Sequence, residues 1–214
     1  MPPNLPSQAE GRSSLDRSME PYYDRRAAEY DEWYAGNGLF AARERPGWDE
    51  DVRTLLDVIA SLAPVRTVDV ACGTGFLTRA LHGDVVGVDA SLAMLATARA
   101  RHRIAAVRAD GFTLPFRDRA FDRVFTGHFY GHLYPEQRAR FLDEARRVAP
   151  ALLVVDAKLH SAVEPEQIQE RILNDGSRHE VFKRYFTADQ LVAELGGGDV
   201  LMDGRWFVAV ERRR

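Results

Sequence analysis

The stretch Val68-Asp69-Val70-Ala71-Cys72-Gly73-Thr74-Gly75, followed by Val85-Val86-Gly87-Val88-Asp89, reads as strand, glycine loop, helix, strand and acid. That order builds a nucleotide-sized crevice at the end of a parallel sheet. A glycine has no Cβ to block a ligand or restrict φ, so main chain can approach the ligand at Gly73 and Gly75. An acid closing the next strand, here Asp89, is placed to accept hydrogen bonds from a ribose diol.

The spacing argues against a phosphate. A pyrophosphate fingerprint would be Gly-x-Gly-x-x-Gly, and Ala71-Cys72-Gly73-Thr74-Gly75-Phe76-Leu77-Thr78 lacks both the first and the third glycine; no Gly-Lys-Ser/Thr follows. Asp69, inside the end of the first strand, would repel a phosphate and attract a cationic or amino-bearing ligand. An adenosine that carries a sulfonium and an amino acid, S-adenosylmethionine, fits that description.

With these residues the chain resembles the class I S-adenosylmethionine-dependent methyltransferases. Asp69 to Gly75 is similar to their first motif and Val88 to Leu95 to their second. Arg108-Ala109-Asp110-Gly111 with Leu114-Pro115-Phe116 is similar to the third, and Phe121-Asp122-Arg123-Val124-Phe125 to the fourth. The resemblance covers roughly Tyr22 to Val155. It implies a doubly wound, Rossmann-like α/β fold with a mostly parallel seven-stranded sheet, an antiparallel C-terminal hairpin strand and an N-terminal helical lid. It implies S-adenosyl-L-methionine as cofactor and S-adenosyl-L-homocysteine as product.

At 214 residues and 45% hydrophobic, the chain can bury one sizeable core. A net charge of −3 provides no overall attraction to nucleic acid or anionic lipid, so the expected partner is a small molecule bound by a monomer or homodimer. Cys72 is the single cysteine, and no Cys/His cluster has zinc spacing. With no apolar signal core and no run of about 18 apolar residues, a cytoplasmic protein is expected.

Residues 1–19, rich in Pro, Ser and charge, are expected to be a flexible tail. Residues 20–214 then form one domain, with a helical lid over 20–63 and a cofactor-binding core over 64–214. Tyr23, Ala27, Tyr30 and Tyr34 share one face of a helix ended by Gly36 and Gly38, and a second helix is expected from Asp49 to Leu62. Expected strands are Thr67 to Val70, Val85 to Asp89, Ile104 to Ala109, Arg123 to Thr126 and Leu152 to Asp156. Thr187 and Gln190 form a capping box, and Asp203-Gly204 marks a closing hairpin. An insertion over about 160–180 is expected to hold a helix from Glu164 to Leu173.

For the cofactor, the resemblance points to Ala71, Gly73, Gly75, Asp89, Ala90, Asp110, Gly111, Phe112 and Thr126, with Asp110 on the adenine amino group. Asp69 orients the loop or reaches the methionine amino group, directly or through water, or else only caps backbone amides. Met94 either packs on the adenine face or serves the core. His128 and His132, after the fourth strand, are candidate acceptors of the substrate proton, since an imidazole titrates near pH 6.5; His132 could equally be structural. Tyr22, Tyr23, Tyr30, Trp33 and Tyr130 are candidates to enclose the substrate. Asp156, Lys158 and His160 are further candidates, and Lys183 and Arg184 either meet an acidic substrate or form a solvated surface. No metal ligands are expected. The activity implied is methyl transfer to an O or N atom of a small molecule; the alternative is a protein of the same fold that binds the cofactor without transfer.

Overall fold

The computed structural model describes residues 21–213, so the expected tail over 1–19 lies outside the described residues. Short runs rich in Val, Leu and Ala form seven strands: β1 (Thr67–Val70), β2 (Val85–Asp89), β3 (Ala105–Arg108), β4 (Arg123–Gly127), β5 (Ala151–Ala157), β8 (Asp199–Asp203) and β9 (Phe207–Arg213). They lie in the order β3-β2-β1-β4-β5-β9-β8. The first five pair in parallel, and β9 alone runs against them, antiparallel to both β5 and β8. The strand order reverses between β1 and β4, and ligands of such sheets bind at the carboxyl ends of the strands beside that reversal.

Both faces of the sheet are covered, which is why its central strands β1, β4 and β5 are buried on nearly every residue and mostly apolar. Val124, Leu152 and Val154 face a core built with Phe141, Leu142 and Val148 of α5 (Pro135–Val148) and Leu191 and Leu195 of α6 (Ala188–Leu195). Phe125, Leu153 and Val155 alternate with them and face Val52, Leu55 and Ile59 of α3 (Trp48–Ala60). The helix α4 (Leu92–His102) packs on β2 and β3, its first turn capped by Ser91, whose hydroxyl accepts from Met94 N. The Thr187 and Gln190 capping box is present at α6.

Three sequence expectations are corrected. The segment after the glycine loop contains only a short 3-10 turn, Thr78–Ala80, because Leu81 turns extended and β2 begins at Val85, leaving no room for a full helix. The aromatic helix is broken into α1 (21–26) and α2 (Glu32–Ala35) with turns between them. Arg101 holds that break by donating to Ala28 O and to Asp31, whose carboxylate also accepts from Thr74 in the glycine loop.

The third correction concerns the insertion, which forms a hairpin rather than a helix: β6 (Glu166–Ile172) and β7 (Arg178–Arg184). Exposure alternates along β6, with Gln167, Gln169 and Arg171 less exposed than Glu166, Ile168, Glu170 and Ile172, the period of a strand lying on a surface. Ile168 and Ile172, four apart, imitate a helical stripe but both point outward, at 54% and 42% exposure. The turn places Gly176 at φ 80°, which glycine adopts without strain.

Candidate functional site

A cleft opens at the ends of β1, β2 and β4, with about 820 Å³ of empty space when the open water at its mouth is counted. That is the scale of sites for small organic ligands, about 300–1,000 Å³. From the core come Ala71, Gly73, Asp89, Ala90, Met94, Asp110, Gly111, Phe112, Gly127, His128 and Phe129; from the lid come Tyr23 and Tyr30.

Asp89 is fixed before any ligand arrives. Its Oδ2 accepts from Gly73 N at 2.9 Å and its Oδ1 from Ser91 N at 2.9 Å. Each carboxylate oxygen retains a lone pair for a further donor. Burial raises the Asp89 pKa, and the amides of Ser91, Gly73 and Ala90 pull against that rise. Asp110 Oδ1 accepts from Phe112 N at 2.9 Å, which orients its carboxylate across the cleft floor. Gly75 lies outside the cleft lining; at φ 80°, a Cβ there would stand 2.3 Å from Ile104 Cδ1, so this glycine serves the packing of the loop.

Asp69 faces a small cavity next to the main cleft, shared with Tyr30, Tyr34 and Ala71. Its Oδ2 accepts from the Thr78 hydroxyl at 2.5 Å, while Oδ1 is buried without a partner. Burial pushes its pKa up to about 8, opposed by the Thr78 hydrogen bond and aided by the charge of Asp89. An orphaned buried carboxylate oxygen is costly unless a donor reaches it, so the site suits an ammonium or amine. Among the described residues, no lysine or arginine lines the main cleft, whereas Asp89 and Asp110 do. A phosphate there would meet two carboxylates and no cation.

His128 closes the cleft at the end of β4. Its backbone adopts φ 60°, rare for a residue with a side chain, held by His128 N donating to Val155 O at 2.8 Å. The ring meets Trp33 edge-on, with centroids 5.0 Å apart. Nδ1 lies 4.0 Å from Asp156 Oδ1, and Nε2 is buried without a partner. Burial holds the His128 pKa down at about 3, with Asp156 opposing and Lys183 and Arg26 reinforcing the shift. At neutral pH this imidazole is uncharged and one ring nitrogen has a free lone pair.

Other residues do not reach the cleft. His132 Nδ1 is engaged by Phe182 O at 2.7 Å, and its pKa is driven well below 6.5 by burial and then by Lys183. Tyr130 is in the core, only 1% exposed, with its hydroxyl donating to Glu194. The Thr126 hydroxyl donates to Val70 O, tying β4 to β1. Trp33 supports His128 from behind, against Trp48 and Phe207. Tyr22 lies under the hairpin, against His179 and Val181. Arg184 pairs with Glu166 and Glu194. Lys158 pairs with Asp203 and His160 packs on Trp206, both at the β8–β9 turn.

Lys183 overturns the expectation of a solvated surface. It is buried at 4% exposure and donates to Asp156 Oδ1 at 2.5 Å. Burial would raise the Asp156 pKa, but Lys183 and His128 outweigh it and hold the carboxyl below its usual range. Gly131 was absent from the candidates, yet its amide donates to Asp156 Oδ2 at 2.6 Å. A Cβ there would stand 2.6 Å from Arg184 O and 2.8 Å from Asp156 Oδ1. The Gly131 in His128-Phe129-Tyr130-Gly131-His132 was the available signal for this close approach.

Residues 68–150 match the family described as a methyltransferase domain. A solved complex of DhpI with SAM and HEP has 25% identity and a TM-score of 0.74, covering 94% of this chain and 98% of that chain. Demethylmenaquinone methyltransferases from Thermotoga maritima and Parafrankia sp. are 32% identical over 102 residues (45% of this chain) and 36% identical over 141 residues (53% of this chain). The chain spans about half the length of these curated relatives, 44% and 53%. Together with the seven-stranded sheet, these matches make residues 68–150 similar to a methyltransferase domain and the fold similar to that of solved S-adenosylmethionine-dependent methyltransferases.

Proposed function

We propose that this chain transfers the methyl group of S-adenosyl-L-methionine to an oxygen or nitrogen of a small-molecule acceptor. The observation that carries the reading is the buried Nε2 of His128, without a partner, in the lining of the cleft that also holds Asp89 and Asp110.

The residues fit the cofactor's chemistry. The fixed carboxylate of Asp89 suits a ribose diol, Asp110 suits the adenine amino group, and Met94, only 1% exposed at the cleft wall, suits a flat ring face. The free oxygen of Asp69 suits the methionine ammonium, and Tyr23 and Tyr30 present aromatic rings to a cation. When bound, the cofactor supplies a methyl carbon activated by attachment to a sulfonium.

With the cofactor bound, Nε2 of His128 would take the acceptor's proton as the acceptor atom displaced the methyl carbon from sulfur, which would keep the bonding electrons as a thioether. Asp156, 4.0 Å from Nδ1, favours the imidazolium that results. Holding the two reactants in line can contribute several kcal/mol, up to about 7–11 in model systems. The N-terminal segment, anchored by Asp31 to Thr74 and by Asp24 to Ser91, brings Tyr23 and Tyr30 over the cleft and narrows its access to water.

The test is a labelled-methyl assay against a pool of small metabolites, together with titration of S-adenosylhomocysteine. Label in a new small molecule supports transfer. Cofactor binding with no turnover on any metabolite would favour a non-transferring protein of this fold.

A further inference from the structure

A second group of charges lies beyond His128, away from the cofactor carboxylates. Arg171 projects from the less exposed face of β6, where Gln167, Gln169 and Arg171 stand opposite Lys183, Val181 and His179 of β7. Its Nε is enclosed and has no partner. Its charged or polar surroundings are Tyr22, Tyr23, Tyr185 and a second cation, Arg26 of α1. Arg26 donates to the Tyr22 hydroxyl at 2.5 Å and lies 4.8 Å over the Tyr30 ring.

Three cations lie in one region: Arg26 donates to Tyr22, whose ring packs 5.0 Å from that of His179, the ladder partner of Arg171, and the buried Lys183 lies on the same less exposed face of β7 as His179. Asp156 is already engaged by Lys183. Asp24 accepts from Ser91, Asp31 pairs with Arg101, and Glu29 and Glu32 accept from Asn174. Among the described residues, neither Arg26 nor Arg171 enters an ion pair. A guanidinium stays protonated at any ordinary pH, so placing Arg171 beside Arg26 and away from water is unfavourable until an anion joins them.

We propose that the methyl acceptor carries an oxyanion, a carboxylate or a phosphate-type group, which Arg171 binds with Arg26 and the hydroxyls of Tyr22 and Tyr23, leaving the acceptor's nucleophilic atom at His128. The proposal rests on the methyl-transfer reading and adds the substrate class. The guanidinium fork matches the geometry of either oxyanion. The cation-free cleft keeps the same anion out of the cofactor site, so the two halves select ligands of opposite charge.

The test titrates inorganic phosphate and, separately, labelled acetate into the protein saturated with S-adenosylhomocysteine, followed by NMR line broadening against a chloride control. Saturation with S-adenosylhomocysteine occupies whatever group serves the cofactor's own carboxylate. The expected result is saturable binding of one or both anions, weakened about tenfold or more in Arg171→Met and partly kept in Arg171→Lys, with affinity for S-adenosylhomocysteine unchanged. Phosphate and acetate arms distinguish the two oxyanion classes. No binding beyond chloride, equal binding by Arg171→Met, or loss of S-adenosylhomocysteine affinity in that variant would overturn the proposal. Repeating the titration without S-adenosylhomocysteine separates failure of this inference from failure of the cofactor reading.

Discussion

Asp156 Oδ1 lies 4.0 Å from Nδ1 of His128 and accepts at 2.5 Å from Lys183. One buried carboxylate thereby links the end of β4, the end of β5 and the hairpin. The arrangement lets an imidazole remain neutral at rest and still find a negative charge when it takes a proton. His128→Gln is therefore expected to keep S-adenosylhomocysteine affinity within about twofold while turnover falls by about 10²-fold or more, the scale of a lost general base. Since burial holds the His128 pKa at about 3, activity should show no loss at pH 6.5 and fall only at markedly lower pH. A rate that halves near pH 6.5 would argue against His128.

Asp89→Ala removes the acceptor that fixes Gly73 N and Ser91 N as well as the expected ribose contact. Cofactor affinity should drop by about 1–3 kcal/mol, the cost of leaving buried donors unpaired. Calorimetric titration measures it, and unchanged affinity would remove Asp89 from the site.

Asp69 predicts how stability depends on pH. Its folded pKa is raised from 3.8 to about 8, so the folded chain holds this proton more tightly than the unfolded chain. The contribution is fully present below pH 3.8 and is lost as pH rises toward about 8. Asp69→Asn, which has no proton to lose, should flatten that part of the curve in the ligand-free protein. Denaturant titrations of both proteins across this range make the comparison; an identical slope would mean Asp69 is ionised in the fold.

Gly131→Ala would press a methyl against Arg184 O and Asp156 Oδ1. Forcing a methyl into a packed site costs about 1–3 kcal/mol, and here it would also lift β7 from Asp156. A lower melting temperature and greater proteolysis of the β6–β7 hairpin are expected. A melting temperature equal to that of the parent would show the hairpin to be loosely held.

The sheet was legible because each strand is a short apolar run ended by a local breaker or acid, as in Thr67–Val70 and Val85–Asp89. The same local pattern marks Gly73, Asp89 and Asp110, which the fold brings into one cleft. The hairpin is hidden in the sequence: Ile168 and Ile172 have helical spacing, while the alternation that decides the structure lies in the polar residues Gln167, Gln169 and Arg171. The acceptor half was only partly visible, since it depends on contacts between distant positions. Lys183 reads as a surface charge until β7 carries it to Asp156, and the enclosure of Arg171 exists only once the hairpin meets the lid.

The central claim is that the cleft takes an adenosine whose attached group is an amino acid rather than a phosphate. Parallel calorimetric titrations with S-adenosylhomocysteine and with ATP test it most directly. The account predicts saturable one-to-one binding of S-adenosylhomocysteine and none of ATP at equal concentration. Binding of ATP as tight as that of S-adenosylhomocysteine, or no binding of S-adenosylhomocysteine, would contradict it.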